Sequence, residues 1–251
     1  MYVTSIFYKV NIGGAINLFD VAKDLGVKKI VVTSSAGTLG PAQTDDGMAS
    51  EDHYRTINFF GDYESSKFIV DERAQQYVRN YGMDISIVCP TRIFGPGKKD
   101  SMGNIIANIV DKYMKGKWRW KLGDGKDKAC YAFIEDVVQG HLLTMEKGRP
   151  GEKYLIGSFN TTFIDFLNTV GDITGKRQWM ISIPFQVLSF LSVILTRLSK
   201  IFKFDPTLTP EWMVKLQMNW FADTSKAQRE LGFKPHTQRE ALEKTINWLK
   251  K

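Results

Sequence analysis

Cysteine and histidine are scarce in this sequence of 251 residues. It contains two cysteines, Cys89 and Cys130, and three histidines. Because it has no CxxC pair and no histidine cluster, the sequence predicts neither a metal site nor a disulfide framework. Lone thiols are typical of a reducing compartment, and we therefore expect a cytoplasmic protein.

Long uninterrupted hydrophobic runs are also missing. The most apolar stretch, residues 181–195, contains three serines, a proline and a glutamine, whereas a membrane span takes roughly 20 consecutive apolar residues. The amino-terminal residues lack the basic and then apolar order of a secretory signal. The stretch is predicted to be a buried or interfacial helix. A secondary hypothesis places residues 181–203, with Arg197, Lys200 and Lys203, at a membrane surface.

No basic arm of the kind that binds nucleic acid stands out. Lysine and arginine number 34 against 27 aspartates and glutamates, a net charge of +7, and acidic residues dilute the basic ones along the chain. Nucleic acid is therefore not an expected partner. With 43% hydrophobic residues, the chain is long enough to bury the core of one large domain or somewhat more.

Helical and strand patterns alternate in the first part of the sequence. Apolar residues recur at helical spacing in two segments that each end at a glycine, over 8–25 and 63–81. Each is followed by a short apolar run typical of a fully buried parallel strand, at 30–33 and 85–90. This order predicts an α/β fold with a parallel sheet covered by helices.

A tyrosine, a lysine and a serine form a candidate catalytic set. Tyr63 and Lys67 are four residues apart at the start of a predicted helix, so both lie on one face, and an ammonium beside a phenol is expected to lower its pKa. Ser35 follows the first strand, and ligands of parallel sheets bind at such carboxyl ends. Two plainer interpretations remain open: a chance Tyr–Lys pair on a solvated helix, and serines that only cap a turn.

Six motifs follow one another along the chain: Asn11–Leu18, Val31–Ala36, Tyr63–Lys67, Pro90–Gly97, Phe133–Val137 and Asp223–Ala227. By these motifs the sequence resembles the extended short-chain dehydrogenase/reductase family, in its NAD-dependent epimerase/dehydratase group. It is most similar to the dihydroflavonol-reductase-like, hydroxysteroid-dehydrogenase-like and sugar-epimerase-like branch. The resemblance implies a doubly wound parallel (Rossmann-type) sheet with a smaller, mostly helical C-terminal substrate domain.

The resemblance also implies roles for single residues. Tyr63 would be the acid/base, Lys67 would hold the nicotinamide ribose and tune the tyrosine, and Ser35 would orient the reacting oxygen of the substrate. The other cofactor-binding positions would be Asn11, Thr33, Ser34, Pro90 and Ile93. Arg92 would contact the substrate, or else a carboxylate of the core.

One family feature is absent from the sequence. Members begin with a strand and a GxxGxxG turn that approaches the cofactor pyrophosphate, and no such turn occurs here.

By resemblance, Met1 precedes the fourth core helix, so we expect a partial sheet. Residues 1–97 would be the C-terminal half of the dinucleotide-binding core, and 98–251 the substrate-binding region, with some strands and helices returning to the core. An exposed hydrophobic sheet edge and weak binding of NAD or NADP by this polypeptide alone are the expected consequences.

The leading functional hypothesis is an NAD(P)-dependent oxidoreductase or epimerase that acts on a secondary alcohol or carbonyl by hydride transfer. The substrate would be a small molecule, and sugar nucleotides, flavonoid-like and sterol-like compounds all stay open. The alternative is a non-catalytic binding or regulatory member of the same fold. A homodimer formed through paired helices is a further expectation from the family.

Overall fold

The structure, a computed structural model, describes residues 6–44, 47–53, 55–98, 102–202 and 209–251. Lys203, part of the predicted membrane-surface segment, lies outside these residues. The helices are α1 (Gly14–Asp24), α2 (Asp62–Tyr81), α3 (Ile105–Met114), α4 (Ile134–Lys147), α5 (Phe163–Thr174), α6 (Phe185–Phe202), α7 (Pro210–Leu216), α8 (Ser225–Leu231) and α9 (Gln238–Leu249). The strands are β1 (Ile30–Thr33), β2 (Ile85–Pro90), β3 (Arg92–Phe94), β4 (Trp120–Leu122), β5 (Lys128–Phe133), β6 (Lys153–Ile156), β7 (Phe159–Thr162) and β8 (Ile181–Ile183).

A parallel sheet in the order β1-β2-β6 forms the first layer. Ile30 lies opposite Ile85, and both strand pairings are parallel. The two predicted strands and the predicted α/β class are confirmed. Helices α1 and α2 pack on one face of this sheet and α4 and α8 on the other. The third strand, β6, comes from the part of the chain that follows residue 97.

The predicted full burial of β1 is wrong. Three of its residues are only half-buried and Thr33 is exposed, whereas all six residues of β2 are buried. The reason is position, because β1 lies at the edge and pairs only with β2 among the described residues. Apolar side chains beside this edge are exposed as well, Leu18 and Val21 on α1 and Val138 and Leu142 on α4. The sheet therefore has the exposed hydrophobic edge that the sequence predicts.

A second layer surrounds an aromatic core. β3 pairs in parallel with β5, β5 pairs antiparallel with β7, and β4 and β8 form a separate parallel pair. The rings of Tyr131 and Phe166 stack with centroids 4.6 Å apart, and Phe94 packs edge-on against both. Because β3 begins two residues after β2 ends, this layer starts beside the carboxyl ends of the first sheet.

The described residues contain neither a membrane-spanning helix nor a metal-binding cluster. No helix among them is long and apolar enough to cross a membrane. Within the same ranges, no group of three or more histidine, cysteine, aspartate or glutamate side chains could hold a metal ion. Cys89 and Cys130 are buried free thiols.

Candidate active site

A cavity of about 210 Å³ opens at the carboxyl ends of β1 and β2, and Ser35 and Tyr63 both line it. Tyr63 lies in the first turn of α2, which begins after Gly61. Its side chain is 46% exposed. Two of the three predicted catalytic residues, which come from separate elements, therefore face one crevice.

Ser35 has a structural contact and a contact to the candidate acid/base. Its extended backbone ends β1, and its hydroxyl accepts a hydrogen bond from the backbone N–H of Gly37 at 3.1 Å, which caps a short 3₁₀ turn. The same hydroxyl hydrogen-bonds Tyr63, a contact that lowers the pKa of the phenol. Capping and catalysis, which the sequence left as alternatives, are compatible at this position.

The predicted effect of Lys67 on Tyr63 is not found in this structure. Burial raises the pKa of Tyr63 above its ordinary value of 10.0, and the hydrogen bond from Ser35 opposes that rise only in part. The Lys67 ammonium instead donates a hydrogen bond to the carbonyl oxygen of Thr33 at 2.9 Å. Burial lowers the pKa of Lys67, and the charge of Asp71 counteracts this effect. Shared helical spacing placed both residues on α2 but did not fix which group the ammonium binds.

Asn11 packs against α2 from a π-helical segment, Tyr8–Gly13. Its amide donates to the Ser66 hydroxyl at 2.9 Å, and that hydroxyl donates to the carbonyl oxygen of Tyr63, also at 2.9 Å. π-helical turns are frequent at functional sites. The amide is thus coupled to the turn of α2 that carries Tyr63 and Lys67.

The other predicted cofactor contacts divide between two places. Pro90 lines the cavity with Ser35 and Tyr63, whereas Ile93 lines a second cavity. Ser34 is buried, and its hydroxyl faces Asp71 and Cys89 in the interior, where burial raises the pKa of both groups and the hydroxyl opposes that rise only in part. The Ser34 backbone N–H donates to the neighbouring strand at 2.7 Å. Of these residues, Pro90 lies beside Ser35 and Tyr63, whereas Thr33 is exposed at the end of β1 and Ser34 faces the interior.

Arg92 lines both cavities. The second cavity has a volume of about 320 Å³, and its walls are mostly aliphatic and aromatic, with Trp118, Trp120 and Trp212 among them. The guanidinium lies over the ring of Tyr131, 5.4 Å from its centroid. Arg92 is therefore positioned where the first cavity, the crevice, meets the second cavity, which we call the apolar chamber.

Three charged residues of the site were not found from the sequence. Glu64, next to Tyr63, is buried and forms ion pairs with Arg55, at 3.1 Å, and with Lys215 of α7. Asp127 lines the apolar chamber, and burial raises its pKa to about 6 although the charge of Arg92 opposes the rise. The members of these pairs are separated by nine to 151 residues, so no local spacing could have indicated them.

Comparisons with known proteins agree with the fold described above. A family model described as the NAD dependent epimerase/dehydratase family matches residues 3–157. The chain is 27% identical to sterol demethylase protein B of Methylococcus capsulatus over 100% of this chain and 78% of the relative. It is 26% identical to a putative dihydroflavonol 4-reductase of Synechocystis over 96% of this chain and 70% of that protein. Among solved structures, UDP-glucose 4-epimerase of Thermotoga maritima matches with a TM-score of 0.75 and 21% identity, over 97% of this chain and 70% of the other.

Proposed function

We propose that this chain, which belongs to the NAD-dependent epimerase/dehydratase family, interconverts a secondary alcohol and a ketone with NAD(P), and that Tyr63 is its acid/base. The observation that carries the proposal is the meeting of Ser35 and Tyr63 in one crevice at the carboxyl ends of a parallel sheet. Lys67 donates to the backbone carbonyl of Thr33, and Asn11 donates to the Ser66 hydroxyl, which in turn donates to the carbonyl oxygen of Tyr63.

The proton moves between Tyr63 and the substrate oxygen. The raised pKa keeps the free phenol protonated at neutral pH, which suits an acid that donates to a carbonyl oxygen as it is reduced. The Ser35 hydroxyl is placed to donate a hydrogen bond to the same oxygen and so to stabilise the negative charge that develops there. In the oxidative direction Tyr63 takes the proton of the alcohol.

The residues present fit the nicotinamide end of a dinucleotide. The Lys67 ammonium and the Asn11 amide are the groups that would bind its ribose, and Pro90 would border its ring. When bound, the dinucleotide supplies the two-electron oxidant or reductant. No GxxGxxG turn is present in the sequence to hold the pyrophosphate. We therefore propose further that residues 1–251 by themselves bind NAD(P) weakly.

The apolar chamber favours an amphipathic substrate with a flat hydrocarbon body. Its tryptophan and isoleucine walls offer few hydrogen-bonding groups, and Arg92 and Asp127 are the charged residues in its lining. A sugar nucleotide would leave many polar groups without partners there, which is costly in an apolar pocket. The names of the sterol and dihydroflavonol relatives agree with this choice. We therefore propose a polycyclic alcohol or ketone as the substrate class.

Turnover by Tyr63→Phe tests the proposal. Panels of sterol, dihydroflavonol and sugar-nucleotide substrates are assayed at saturating NAD(P), with NAD(P)H absorbance as the readout. Loss of the phenol should lower kcat/KM on the order of 10²–10⁴-fold, whereas Tyr81→Phe, on the exposed far end of the same helix, should be unchanged. Equal turnover of the two variants would exclude Tyr63 as the acid/base. Substrate binding without any turnover by the unaltered chain, at a dinucleotide concentration at which NAD(P) binding is detected, would favour the non-catalytic alternative.

A further inference from the structure

Helix α6 points its apolar side chains away from the protein. Phe190 and Phe202 are 68% and 70% exposed, whereas Ser192 is fully buried. The other hydroxyl residues on the face of Ser192 lie at helical spacing from it and are half-buried: Ser189, Thr196 and Ser199. The exposed stripe consists of Val187, Phe190, Leu191, Val193, Ile194, Leu198 and Phe202. A helix on the surface of a globular protein normally has the opposite orientation.

The hydroxyl groups of Ser192 and Thr196 are satisfied by hydrogen bonds within α6. Ser192 donates to the carbonyl oxygen of Ser189 at 2.7 Å, and Thr196 donates to that of Ser192 at 2.8 Å. Both bonds stay within the helix, so the small polar face can pack against α7 without unsatisfied groups. This packing leaves the apolar stripe facing outward, and contiguous exposed apolar surface marks an interaction site.

The segments that contain and adjoin the stripe are rich in basic residues. Segments 115–122 and 176–203, which meet where β4 pairs with β8, contain nine lysines and arginines and no acidic residue. Since the whole chain carries +7, the rest of it carries −2. Lys115 and Arg177 form ion pairs with acidic residues from outside the two segments. Even so, the net positive charge of the chain is concentrated in the two segments that contain and adjoin α6.

We propose that α6 lies in the headgroup region of an anionic lipid bilayer, with its stripe among the upper acyl chains. An apolar stripe within a basic surround is the pattern of interfacial helices, because acyl chains take the stripe and anionic headgroups take the charges. Trp179, 74% exposed just before β8, adds a side chain that favours the membrane interface. A protein partner would satisfy the stripe equally well, but the excess of lysine and arginine in these two segments favours an anionic lipid surface.

The orientation has a consequence for the apolar chamber. Trp120 of β4 and Leu216 of α7 line that chamber, and both elements adjoin the α6 region, β4 through its pairing with β8 and α7 through packing against α6. A protein that rests on α6 therefore brings the chamber close to the bilayer, where a polycyclic alcohol would be dissolved.

Co-sedimentation of the full chain with vesicles tests the membrane proposal, independently of any catalysis. Vesicles of phosphatidylcholine are compared with vesicles that also contain phosphatidylserine. Phe190→Gln should weaken binding to the anionic vesicles on the order of tenfold, and Arg197→Gln should weaken it about fivefold at low salt. Leu142→Gln, which alters a side chain of similar exposure (66%) on α4, is the matched control and should bind like the unaltered chain.

Three results would overturn the proposal. The first is equal binding to neutral and anionic vesicles. The second is no binding to either vesicle by a chain that is folded by circular dichroism. The third is a concentration-dependent dimer that Phe190→Gln abolishes while vesicle binding is absent, since the stripe would then be covered by a second copy of the chain.

Discussion

Glu64 joins three parts of the sequence at the candidate active site. Its carboxylate is buried between Arg55, from the loop before α2, and Lys215, from α7. Lys215 also lies over the ring of Trp220, 5.0 Å from its centroid. Because both cations depend on one carboxylate, the position of α7 above the crevice depends on it too.

Glu64→Gln should therefore be strongly destabilising. The substitution leaves a largely buried guanidinium and an ammonium without their counter-charge, and breaking such a pair costs about 3 kcal/mol or more in the free energy of unfolding. Urea unfolding measures the loss. Glu146→Gln, at an exposed position on α4, should stay within about 0.5 kcal/mol of the unaltered chain. Equal midpoints for the two variants would contradict this view of Glu64.

Asp127 gives the protein a predictable pH dependence. Burial raises its pKa from 3.8 to about 6, so the folded protein binds this proton more tightly than the unfolded chain does. The contribution of the protonated carboxyl to stability is complete below about pH 4 and is lost as the pH rises through 6.

Asp127→Asn should remove that dependence. Between pH 4 and pH 8 the unaltered chain should lose up to about 3 kcal/mol of stability relative to the variant, which corresponds to a pKa shift of about two units. Urea unfolding at a series of pH values gives both curves. Curves that run parallel throughout would show that the carboxyl is not perturbed in the folded state.

The positions of Ser35 and Tyr63 could be predicted from the sequence, whereas the pKa of Tyr63 could not. The placement of Ser35 and Tyr63 followed from a strand end and a helix start, which are local features. The pKa of Tyr63 did not, because it depends on how deeply the ring is buried and on which group Lys67 contacts. Ser34 and Ser35 are adjacent and chemically alike, yet only the structure shows which hydroxyl faces the crevice and which faces Asp71.

At the scale of elements, the start of α2 depends on a glycine. Gly61 immediately precedes α2 with φ 140°, ψ 176°, a backbone conformation that residues with a Cβ rarely adopt. No neighbouring atom fills the space where a Cβ would lie. The requirement is therefore conformational and not steric.

Gly61→Ala should lower the free energy of unfolding by about 1–3 kcal/mol and disturb the first turn of α2. Gly14→Ala is the control, because Gly14 has ordinary helical angles, φ −61° and ψ −44°, and open space around its Cα. That control should be stabilising by up to about 1 kcal/mol. Thermal unfolding followed by circular dichroism compares the two, and an equal effect of both substitutions would rule out strain at Gly61.

Local patterns predicted the elements better than their pairing. The strands at 30–33 and 85–90 match β1 and β2, and a glycine follows α2 as expected. The apolar periodicity from residue 8 onward did predict a helix, but not its π-helical first turns. β4 and β8 pair with each other although they lie about 60 residues apart in the sequence, and no pattern within either strand specifies such a contact.

At the scale of the whole molecule, our proposal is that residues 1–251 carry the nicotinamide half of a dinucleotide site without the pyrophosphate half. The groups suited to the nicotinamide end are present, and a glycine-rich turn for the pyrophosphate is not. Calorimetry with purified residues 1–251 should therefore give a Kd for NAD(H) and NADP(H) above about 1 mM. A micromolar Kd for either dinucleotide would defeat this prediction.

The edge position of β1 links the rim of the sheet to the crevice. Ile30 and Ser34 donate their N–H groups inward, so the alternation of a strand directs those of Val31 and Thr33 outward. An extended peptide bound along that rim would stiffen the short length of backbone that ends at Ser35. Occupancy of the rim and the alignment of the serine hydroxyl would then be thermodynamically coupled through β1.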